Sequence, residues 1–435
     1  MIVCKFGGTS LCDASQIKKV SSILNSDSRR SIVIVSAPGK RDKTDTKVTD
    51  MLYNCHSLAQ RAIPFLKQFD EITFRFTSIA KELGVHTDKI EEALNDIAFH
   101  IEQGVTADYV ASRGEFLNAL LISEFLGWEL LDAAQLIVIN EDGSIDENTY
   151  HTIAMAIDPD KKYVFPGFYG STKEGEIKTF SRGGSDITGS IVARSVGAEL
   201  YENWTDVSGI FMADPRIISD AKVIDSISYR EVRELAAVGF NVFHEEAIAP
   251  VRQASIPIRV KNTNRPEDQG TVIVPSRDAS QNPLAGVTVK TGYCRLSVEK
   301  LMLFKQNGIR ERLENTLHTM GVFPELSAFN IDSIIWFFPS SQVANGLLES
   351  IASLLNKEFA LDDAVCETGF ALAAVVGEGF GKNIKKISHV YTALQQHSIH
   401  VVFSSFGISK TAGIFVVSES QAHDTVKVLY EDLLR

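Results

Sequence analysis

The sequence predicts an α/β fold: a large domain with a mainly parallel central sheet, followed by two smaller domains that repeat one pattern of strands and helices. Two observations lead to this prediction. Over the first two-thirds of the 435 residues, short apolar runs alternate with segments of helical period, which is typical of strand–helix–strand units. From about Arg295 onward, shorter strands and helices follow one another in two similar passes.

Composition places the chain among folded proteins with small-molecule partners. Its hydrophobic content of 44% and its length are enough for about two to four domains. The 55 acidic and 43 basic residues give a net charge of -12, which repels nucleic acids and anionic lipids. We therefore expect neither a nucleic-acid nor a membrane partner.

The five cysteines are scattered, odd in number and never spaced as a C-x-x-C pair. This pattern indicates neither a zinc site nor a disulfide framework, and it fits a reducing compartment. The chain starts with a strand-like apolar run and no basic leader, and no apolar run approaches the length of a membrane span. We expect a cytoplasmic protein.

The first elements can be placed from local pattern. Strands are predicted at Ile2–Phe6 and Ile32–Val35, and Asp13 to Gln16 is predicted to open the helix between them as a capping box. The polar, charged stretch from Lys40 to Lys47 is predicted to be a surface loop.

A long helical region is predicted from about Val48 to Phe125, with breaks near Pro64, at Gly84 and around Gly104. It is too long for one crossover, so we expect a bundle of helices over the sheet. Strand character returns at Tyr163–Gly167.

The C-terminal passes have the strand and helix order of two ferredoxin-like domains in tandem. Neither pass carries a catalytic constellation, which favours regulation or assembly over chemistry. The predicted elements are 296–298, 309–317 and 334–338 in the first pass, and 372–376, 384–396 and 401–403 in the second.

Three glycine-bearing polar clusters, each after a strand-like run, point to the chemistry. Paired glycines remove two Cβ atoms and permit positive φ, so that backbone N–H groups can face an anion. Three such clusters predict a polyphosphate site built from the ends of several strands. They are K-F-G-G-T-S at 5–10, S-R-G-G-S-D at 181–186 and T-D-V-S-G at 205–209.

With four further motifs, these clusters resemble the amino acid kinase family, and specifically its aspartokinases, over essentially the whole length. The further motifs are V-T-D at 48–50, S-R-G-E at 112–115, F-P-G-F at 165–168 and D-P-R at 214–216. The resemblance implies a three-layer catalytic domain at 1–290 and two C-terminal ACT domains at 291–365 and 366–435, whose boundaries would shift if the two domains interleave.

The resemblance also implies a function. An aspartokinase phosphorylates the β-carboxylate of L-aspartate with ATP and Mg²⁺ to give 4-phospho-L-aspartate, the first step of lysine, threonine and methionine biosynthesis. The ACT domains imply feedback by lysine or threonine, and a homodimer is the expected assembly.

Lys5 and Asp186 are the predicted catalytic pair. Lys5, followed by Gly7 and Gly8, places an ammonium and backbone donors against the transferred phosphate, although a lysine at a strand end also occurs for packing reasons alone. Asp186 is expected to organise Lys5 or magnesium, and no protein ligand to the metal is assigned. Ser36 resembles the family's serine near the phosphates, and a turn serine is the competing interpretation.

Arg182 is the predicted carboxylate clamp, because a guanidinium fork matches the α-carboxylate of aspartate in two parallel hydrogen bonds. Glu115 is predicted at the α-ammonium, with an exposed helix carboxylate as the alternative. By resemblance, Thr49 and Ser185 also line the aspartate site. The β-carboxylate is already ionised, so the attack needs no general base.

The predicted nucleotide segment contains Thr205, Asp206 and Arg216. Two departures from the family pattern occur: Phe211 stands where many members have tyrosine, and Asn241 stands where many have a lysine at the ATP phosphates. Phe211 retains the ability to stack on an adenine ring, whereas the loss at 241 requires another cation or lowers nucleotide affinity.

Two further questions stay open at the level of sequence. Glu325 falls where lysine-sensitive members have an acidic effector contact, and a solvated glutamate is an equal alternative. Another amino acid kinase, such as glutamate 5-kinase or acetylglutamate kinase, would share the phosphate clusters but not the ACT tail. An amino-acid sensor without catalysis is the remaining alternative, prompted by Asn241.

Overall fold

The computed structural model describes residues 1–181, 183–240, 245–280, 282–343 and 347–434, and these divide into two compact units. The first unit comprises Met1–Ile210, Val223–Ala236 and the described part of the stretch that ends at Arg277. The second comprises Phe211–Lys222, Ala237–Phe240 and the described part of the chain from Asp278 onward.

The first unit contains ten strands and ten helices among its described residues. Its strands are β1 Ile2–Phe6, β2 Arg30–Val35, β3 Glu129–Leu130, β4 Tyr163–Pro166, β5 Tyr169–Ser171, β6 Ile177–Thr179, β7 Leu200–Thr205, β8 Ser226–Ser228, β9 Ile258–Asn262 and β10 Thr271–Val274. Its helices are α1 Ala14–Asn25, α2 Val48–Gln60, α3 Leu66–Leu83, α4 Asp88–Glu102, α5 Ala107–Leu126, α6 Ala133–Leu136, α7 Asn148–Ala156, α8 Gly184–Ser195, α9 Tyr229–Ala237, whose last residue belongs to the second unit, and α10 Glu245–Gln253.

Eight of these strands form one sheet in the order β3-β4-β2-β1-β7-β9-β10-β8. All neighbours in it are parallel except β9 and β10. Strands β5 and β6 form a separate hairpin. The prediction of an α/β fold with a mainly parallel central sheet is confirmed.

Strand β1 is covered on both faces, as a central parallel strand must be. Ile2, Cys4 and Phe6 pack into one core with apolar residues of α1 to α5, while Val3, on the opposite face, is also fully buried. Asp13 caps α1 by accepting a hydrogen bond from the Gln16 backbone N–H at 2.9 Å.

The predicted helical region is four helices, α2 to α5, and its breaks fall where they were expected. Pro64 lies between α2 and α3, and Gly104 lies between α4 and α5. Gly84 ends α3 with φ of 74°, a left-handed conformation that glycine adopts at little cost. Strand β2 begins at Arg30, two residues before the predicted start.

The second unit contains, among its described residues, a six-stranded antiparallel sheet in the strand order β12-β13-β11-β14-β16-β15 and four helices that follow β11 in sequence. The strands are β11 Gly286–Glu299, β12 Leu326–Phe329, β13 Ser333–Pro339, β14 Asp363–Val376, β15 Val401–Ser405 and β16 Ala412–Ser418. The helices are α11 Ile309–Thr319, α12 Leu347–Phe359, α13 Ile384–Gln396 and α14 Ala422–Leu433.

Two long strands differ from the short ones that the sequence predicted. β11 and β14 have 14 residues each and pair along their length, from Gly286 opposite Val376 to Glu299 opposite Asp363. One half of this ladder shares a core with α11 and α12, and the other half shares a core with α13 and α14. Each half therefore completes a four-stranded, two-helix motif, and the second motif takes one strand from upstream in the chain.

No helix in the described ranges is long and apolar enough to cross a membrane.

Candidate active site

Four parallel strands of the first unit end in one row. The register places Phe6 of β1 beside Val35 of β2 and beside Trp204 of β7, and it places Val35 beside Pro166 of β4. The residues after this row are the polar and glycine residues singled out in the sequence. Since ligands of open α/β sheets bind outside the carboxyl ends of the strands, this row is the candidate site.

Backbone hydrogen bonds continue one step beyond the row. The Gly7 N–H donates to the Trp204 carbonyl at 3.1 Å, and the Ser36 N–H donates to the Phe6 carbonyl at 3.3 Å. The Gly167 N–H donates to the Val35 carbonyl at 2.9 Å. The first residues of the three loops are thereby held by the sheet.

Position 8 requires glycine because a side chain would not fit there, and not because the backbone is left-handed. A Cβ at Gly8 would lie 2.8 Å from the Ala37 carbonyl oxygen and 3.1 Å from the Gly39 nitrogen. Neither Gly7 nor Gly8 has a positive φ, so that part of the sequence interpretation is corrected. Gly183, in contrast, has φ of 70° and leads into α8.

Lys5 and Asp186 meet at this edge. The Lys5 Nζ lies 2.6 Å from the Asp186 Oδ1, with the Lys5 side chain buried and that of Asp186 partly buried. Asp186 lies in the first turn of α8, and its Oδ1 also accepts a hydrogen bond from the Asn203 Nδ2 at 2.9 Å. Asn203 was missed in the sequence; its signal is a polar side chain inside the buried run of β7.

Ser36 and Ser185 are joined directly. The Ser36 Oγ donates to the Ser185 Oγ at 2.9 Å, and Ser185 is buried in the first turn of α8. Gly167 makes room for this contact, because a Cβ there would lie 2.6 Å from the Ser185 Oγ. The structure therefore brings together one residue from the predicted phosphate set and one from the predicted aspartate set.

Glu115 is a buried carboxyl group, which excludes the exposed helix carboxylate considered from sequence. It lies in α5 at 6% exposure, and its Oε2 has no hydrogen-bond partner among the described residues. Burial raises the pKa of Glu115 to about 8, against the smaller opposing effects of the Ala37 backbone N–H and Arg113. A buried carboxyl without a cation is suited to receive one.

The other predicted aspartate residues are placed as follows. Thr49 is half-buried in the first turn of α2. Asn118, one turn after Glu115 on α5, donates to the Ser36 carbonyl at 2.7 Å and was missed in the sequence. Arg182 lies outside the described residues, as does Asn241.

The predicted nucleotide segment begins at the end of β7. Thr205 donates to the Asp206 side chain at 3.2 Å, and the Asp206 side chain is exposed. Asn262 of β9 donates to the Asp206 carbonyl at 3.2 Å and to the Ser208 hydroxyl at 3.1 Å. Asn262 is a further residue that the sequence interpretation did not include.

Phe211, Arg216 and Glu325 belong to the second unit. Arg216 is almost fully exposed and binds Asp214, its Nη2 lying 2.6 Å from the Asp214 Oδ2. Glu325 pairs with the Lys290 Nζ at 2.9 Å and accepts a hydrogen bond from the Tyr293 hydroxyl. Glu325 is therefore an exposed glutamate that is engaged by two neighbours within its own unit.

Within the part of the chain that the structure describes, no three His, Cys, Asp or Glu side chains are grouped so as to hold a metal ion.

Comparison with known proteins identifies the family. The model of the amino acid kinase family matches residues 1–262. Aspartokinase 3 of Bacillus subtilis (strain 168) is 34% identical over 449 residues, covering 99% of this chain and 98% of the relative. Lysine-sensitive aspartokinase 3 of Escherichia coli (strain K12) is 25% identical, covering 100% of this chain and 99% of the relative.

A solved structure agrees with these relatives. The crystal structure of Clostridium acetobutylicum aspartate kinase has a TM-score of 0.92 and 38% sequence identity, with 99% of each chain covered. The match extends over both units, and it excludes an amino acid kinase that lacks the C-terminal part. The chain belongs to the amino acid kinase family, as an aspartokinase.

Proposed function

We propose that the edge formed by β1, β2, β4 and β7 transfers the γ-phosphoryl group of ATP to the β-carboxylate of L-aspartate, giving 4-phospho-L-aspartate and ADP. The observation that carries this proposal is the Lys5–Asp186 contact of 2.6 Å beside the Gly7-Gly8 pair. A fixed ammonium at the strand ends, next to backbone N–H groups, is what a transferred phosphoryl group requires.

The chemical roles follow from charge. The β-carboxylate of aspartate attacks phosphorus as an anion, so no side chain has to accept a proton. Lys5 neutralises charge on the equatorial oxygens, and Asp186 with Asn203 holds its ammonium in place. Catalysis at this edge consists of positioning and charge neutralisation.

Glu115 is assigned to the α-ammonium of aspartate. Its free Oε2 lies in a buried setting where an incoming cation restores the ionised form. Arg182 is assigned to the α-carboxylate on the chemistry of its guanidinium, and Thr49 and Ser185 are assigned to aspartate as further contacts. The zwitterion is then held at both charges, and its side-chain carboxylate is left to react.

ATP is assigned to Gly7, Gly8, Ser36, Thr205 and Asp206 of the first unit. Phe211 and Arg216 are assigned as nucleotide contacts on the resemblance alone. Mg²⁺ is commonly held by nucleotide phosphates and one or two carboxylates, and not by a complete set of protein ligands. The partly buried Asp186 would provide one such carboxylate. When bound, the ion neutralises phosphate charge. The five unpaired cysteines fit a reducing compartment such as the cytosol.

The test is ADP release from MgATP with L-aspartate, L-glutamate or no acceptor, for this chain and its Arg182→Ala variant. Turnover that depends on aspartate and is lost in the variant supports both the reaction and the clamp. Turnover with glutamate alone points to another acceptor. Absence of turnover with either amino acid favours the sensor alternative.

Regulation by lysine or threonine is proposed for the second unit, with ACT domains at about 291–365 and 366–435 that interleave through the shared strands β11 and β14. An effector amine that binds Glu325 has to replace Lys290, which already pairs with it at 2.9 Å. Equal initial rates with and without millimolar lysine and threonine, singly and together, would exclude this regulation.

A homodimer through the second unit is proposed on its exposed apolar edge. β12 is an edge strand among the described residues, and its last residue, Phe329, is 57% exposed. Ile331, Leu301 and Phe323 of the same unit are 70%, 70% and 54% exposed. A strand with one open edge and exposed apolar residues near it is a surface that a second copy covers. A monomer mass in light scattering at working concentration contradicts the proposal.

A further inference from the structure

The loop that follows β2 is fixed by one buried arginine. Arg75 lies in the middle of α3 with a side chain that is only 4% exposed, which is rare for arginine. Arg75 is distant in sequence from the residues at the strand ends, and none of the family motifs includes it.

The Arg75 guanidinium holds both ends of the predicted surface loop. Its Nη2 donates to the Gly39 carbonyl at 2.5 Å, and its Nη1 donates to the Thr46 carbonyl at 3.0 Å. The Asp45 carboxylate lies 3.1 Å from Nη2 and compensates its charge. Arg41, on the outside, binds the same carboxylate at 2.9 Å.

Gly39 transmits this restraint to the glycine pair. The Gly39 N–H donates to the Gly8 carbonyl at 2.8 Å. A Cβ at Gly39 would lie 2.5 Å from the Gly8 carbonyl carbon and 2.7 Å from the Thr9 nitrogen, so the two backbones are in direct contact. Any shift of Gly39 therefore displaces Gly8.

The C-terminal end of the loop leads into α2, which carries the predicted aspartate-binding residue Thr49. Thr46 immediately precedes Lys47, the N-terminal flanking residue of α2, and Thr49 lies in the first turn of that helix. The Arg75 guanidinium thus connects the segment that contacts Gly8 with the segment that leads into α2. The two nitrogens of its planar fork donate to both carbonyls at once.

We propose that Arg75 is a positioning residue of the kinase reaction, which sets the place of the Gly7-Gly8 backbone for the nucleotide phosphates and the start of α2 for aspartate. This inference rests on the proposed function. Arg75 touches neither substrate in this arrangement and acts through Gly39 and Thr46.

The experiment compares Arg75→Met, Arg75→Lys and the control Arg41→Met, in the full chain. Initial rates give kcat and the KM for ATP and for aspartate, calorimetry gives the Kd for ADP, and thermal unfolding gives stability. Arg41→Met removes the exposed partner of Asp45 and leaves both carbonyl contacts of Arg75 in place.

We expect Arg75→Met to raise the KM for ATP and the Kd for ADP by about 10- to 100-fold, because misplacement of about 1 Å has effects of this size. Arg75→Lys retains the charge but reaches one carbonyl at a time, so its values fall between those of Arg75→Met and the unmodified chain. Arg41→Met changes them by about twofold or less.

A purely structural role predicts a different result: a lower Tm and a lower kcat from a smaller folded fraction, with unchanged KM for ATP and Kd for ADP. That result overturns the inference, and Arg75→Lys decides the matter if Arg75→Met does not fold. If the unmodified chain shows no aspartate-dependent turnover, the proposed function fails, while the ADP affinities still test Arg75.

Discussion

The ammonium of Lys5 and the carboxylate of Asp186 are in contact at 2.6 Å, one from the first strand and the other from the first turn of α8. Asn203 shares the same oxygen of Asp186. The contact gives the Lys5 ammonium one fixed position at the strand ends. In water, a lysine side chain would sample many positions, so this restraint is what makes the charge useful in catalysis.

Lys5→Met is expected to lower kcat by about 10²- to 10³-fold, because the variant removes a preorganised charge at the transferred group. Asp186→Asn retains the shape but not the charge that orients Lys5, so we expect a smaller loss. Lys89→Met is the matched control, since Lys89 pairs with Glu124 at 2.7 Å on the exposed surface. Steady-state ADP release measures all three. Equal rates for Lys5→Met and Lys89→Met would refute the assignment.

Gly8→Ala is expected to weaken ADP binding by about tenfold or more, because its Cβ meets backbone atoms that cannot yield. Gly7→Ala is the comparison within the same loop. Its Cβ would be at ordinary contact distance, 3.7 Å from the Lys5 Nζ and 3.8 Å from the Trp204 oxygen. We expect a clearly milder effect there, measured by calorimetric titration with ADP. The reverse order of the two variants would show that space at Gly8 is not the constraint.

The affinity for aspartate is expected to depend on pH through Glu115. Because burial raises the pKa of Glu115 to about 8, the carboxyl is neutral below that pH and ionised above it. The α-ammonium of aspartate prefers the ionised form, so the KM for aspartate should rise as pH falls from 8 towards 6, by at most about tenfold per pH unit.

Glu115→Gln is expected to remove this dependence and to raise the KM for aspartate at a pH of about 8.5, where the Glu115 carboxyl of the unmodified chain is mostly ionised. The control is Glu124→Gln on the same helix, whose carboxylate is at the surface. Initial rates at several pH values and saturating ATP provide the measurement. A KM for aspartate that is flat from pH 6 to about 9 in the unmodified chain speaks against the assignment.

The buried ion pair between Arg30 and Glu202 is expected to matter for stability and not for turnover. The Arg30 Nε lies 2.8 Å from the Glu202 Oε2, which also accepts from the Trp204 Nε1 at 3.0 Å. Arg30→Met leaves a buried carboxylate without its cation, at a cost of about 3–5 kcal/mol in the free energy of unfolding.

The control for this pair is Lys161→Met, which breaks an exposed pair with Glu129 and should have little effect on the free energy of unfolding, because solvent screens that pair. Urea unfolding of both variants gives the comparison. The double variant Arg30→Met with Glu202→Met should recover part of the loss, since it removes the unpaired charge. Similar losses for Arg30→Met and Lys161→Met would contradict the prediction.

Much of the architecture could be predicted because it depends on local pattern. The apolar runs of β1 and β4, the breaks at Pro64 and Gly84 and the cap at Asp13 are read from a few neighbouring residues each. The long strands β11 and β14 could not be predicted, because each serves two cores that are built from distant segments. Such pairing is specified by partners and not by strand propensity.

The sequence alone determined the family motifs, the order of strands and helices and the residue types of the site, because these follow from chemical identity and local periodicity. Only the tertiary structure decided that Asn203 shares Asp186, that the buried Glu115 has an Oε2 with no hydrogen-bond partner among the described residues and that Arg75 holds Gly39. Each of these is a contact or a degree of burial between residues far apart in the chain. Hydrogen bonding and desolvation depend on such neighbours, and no local pattern contains them.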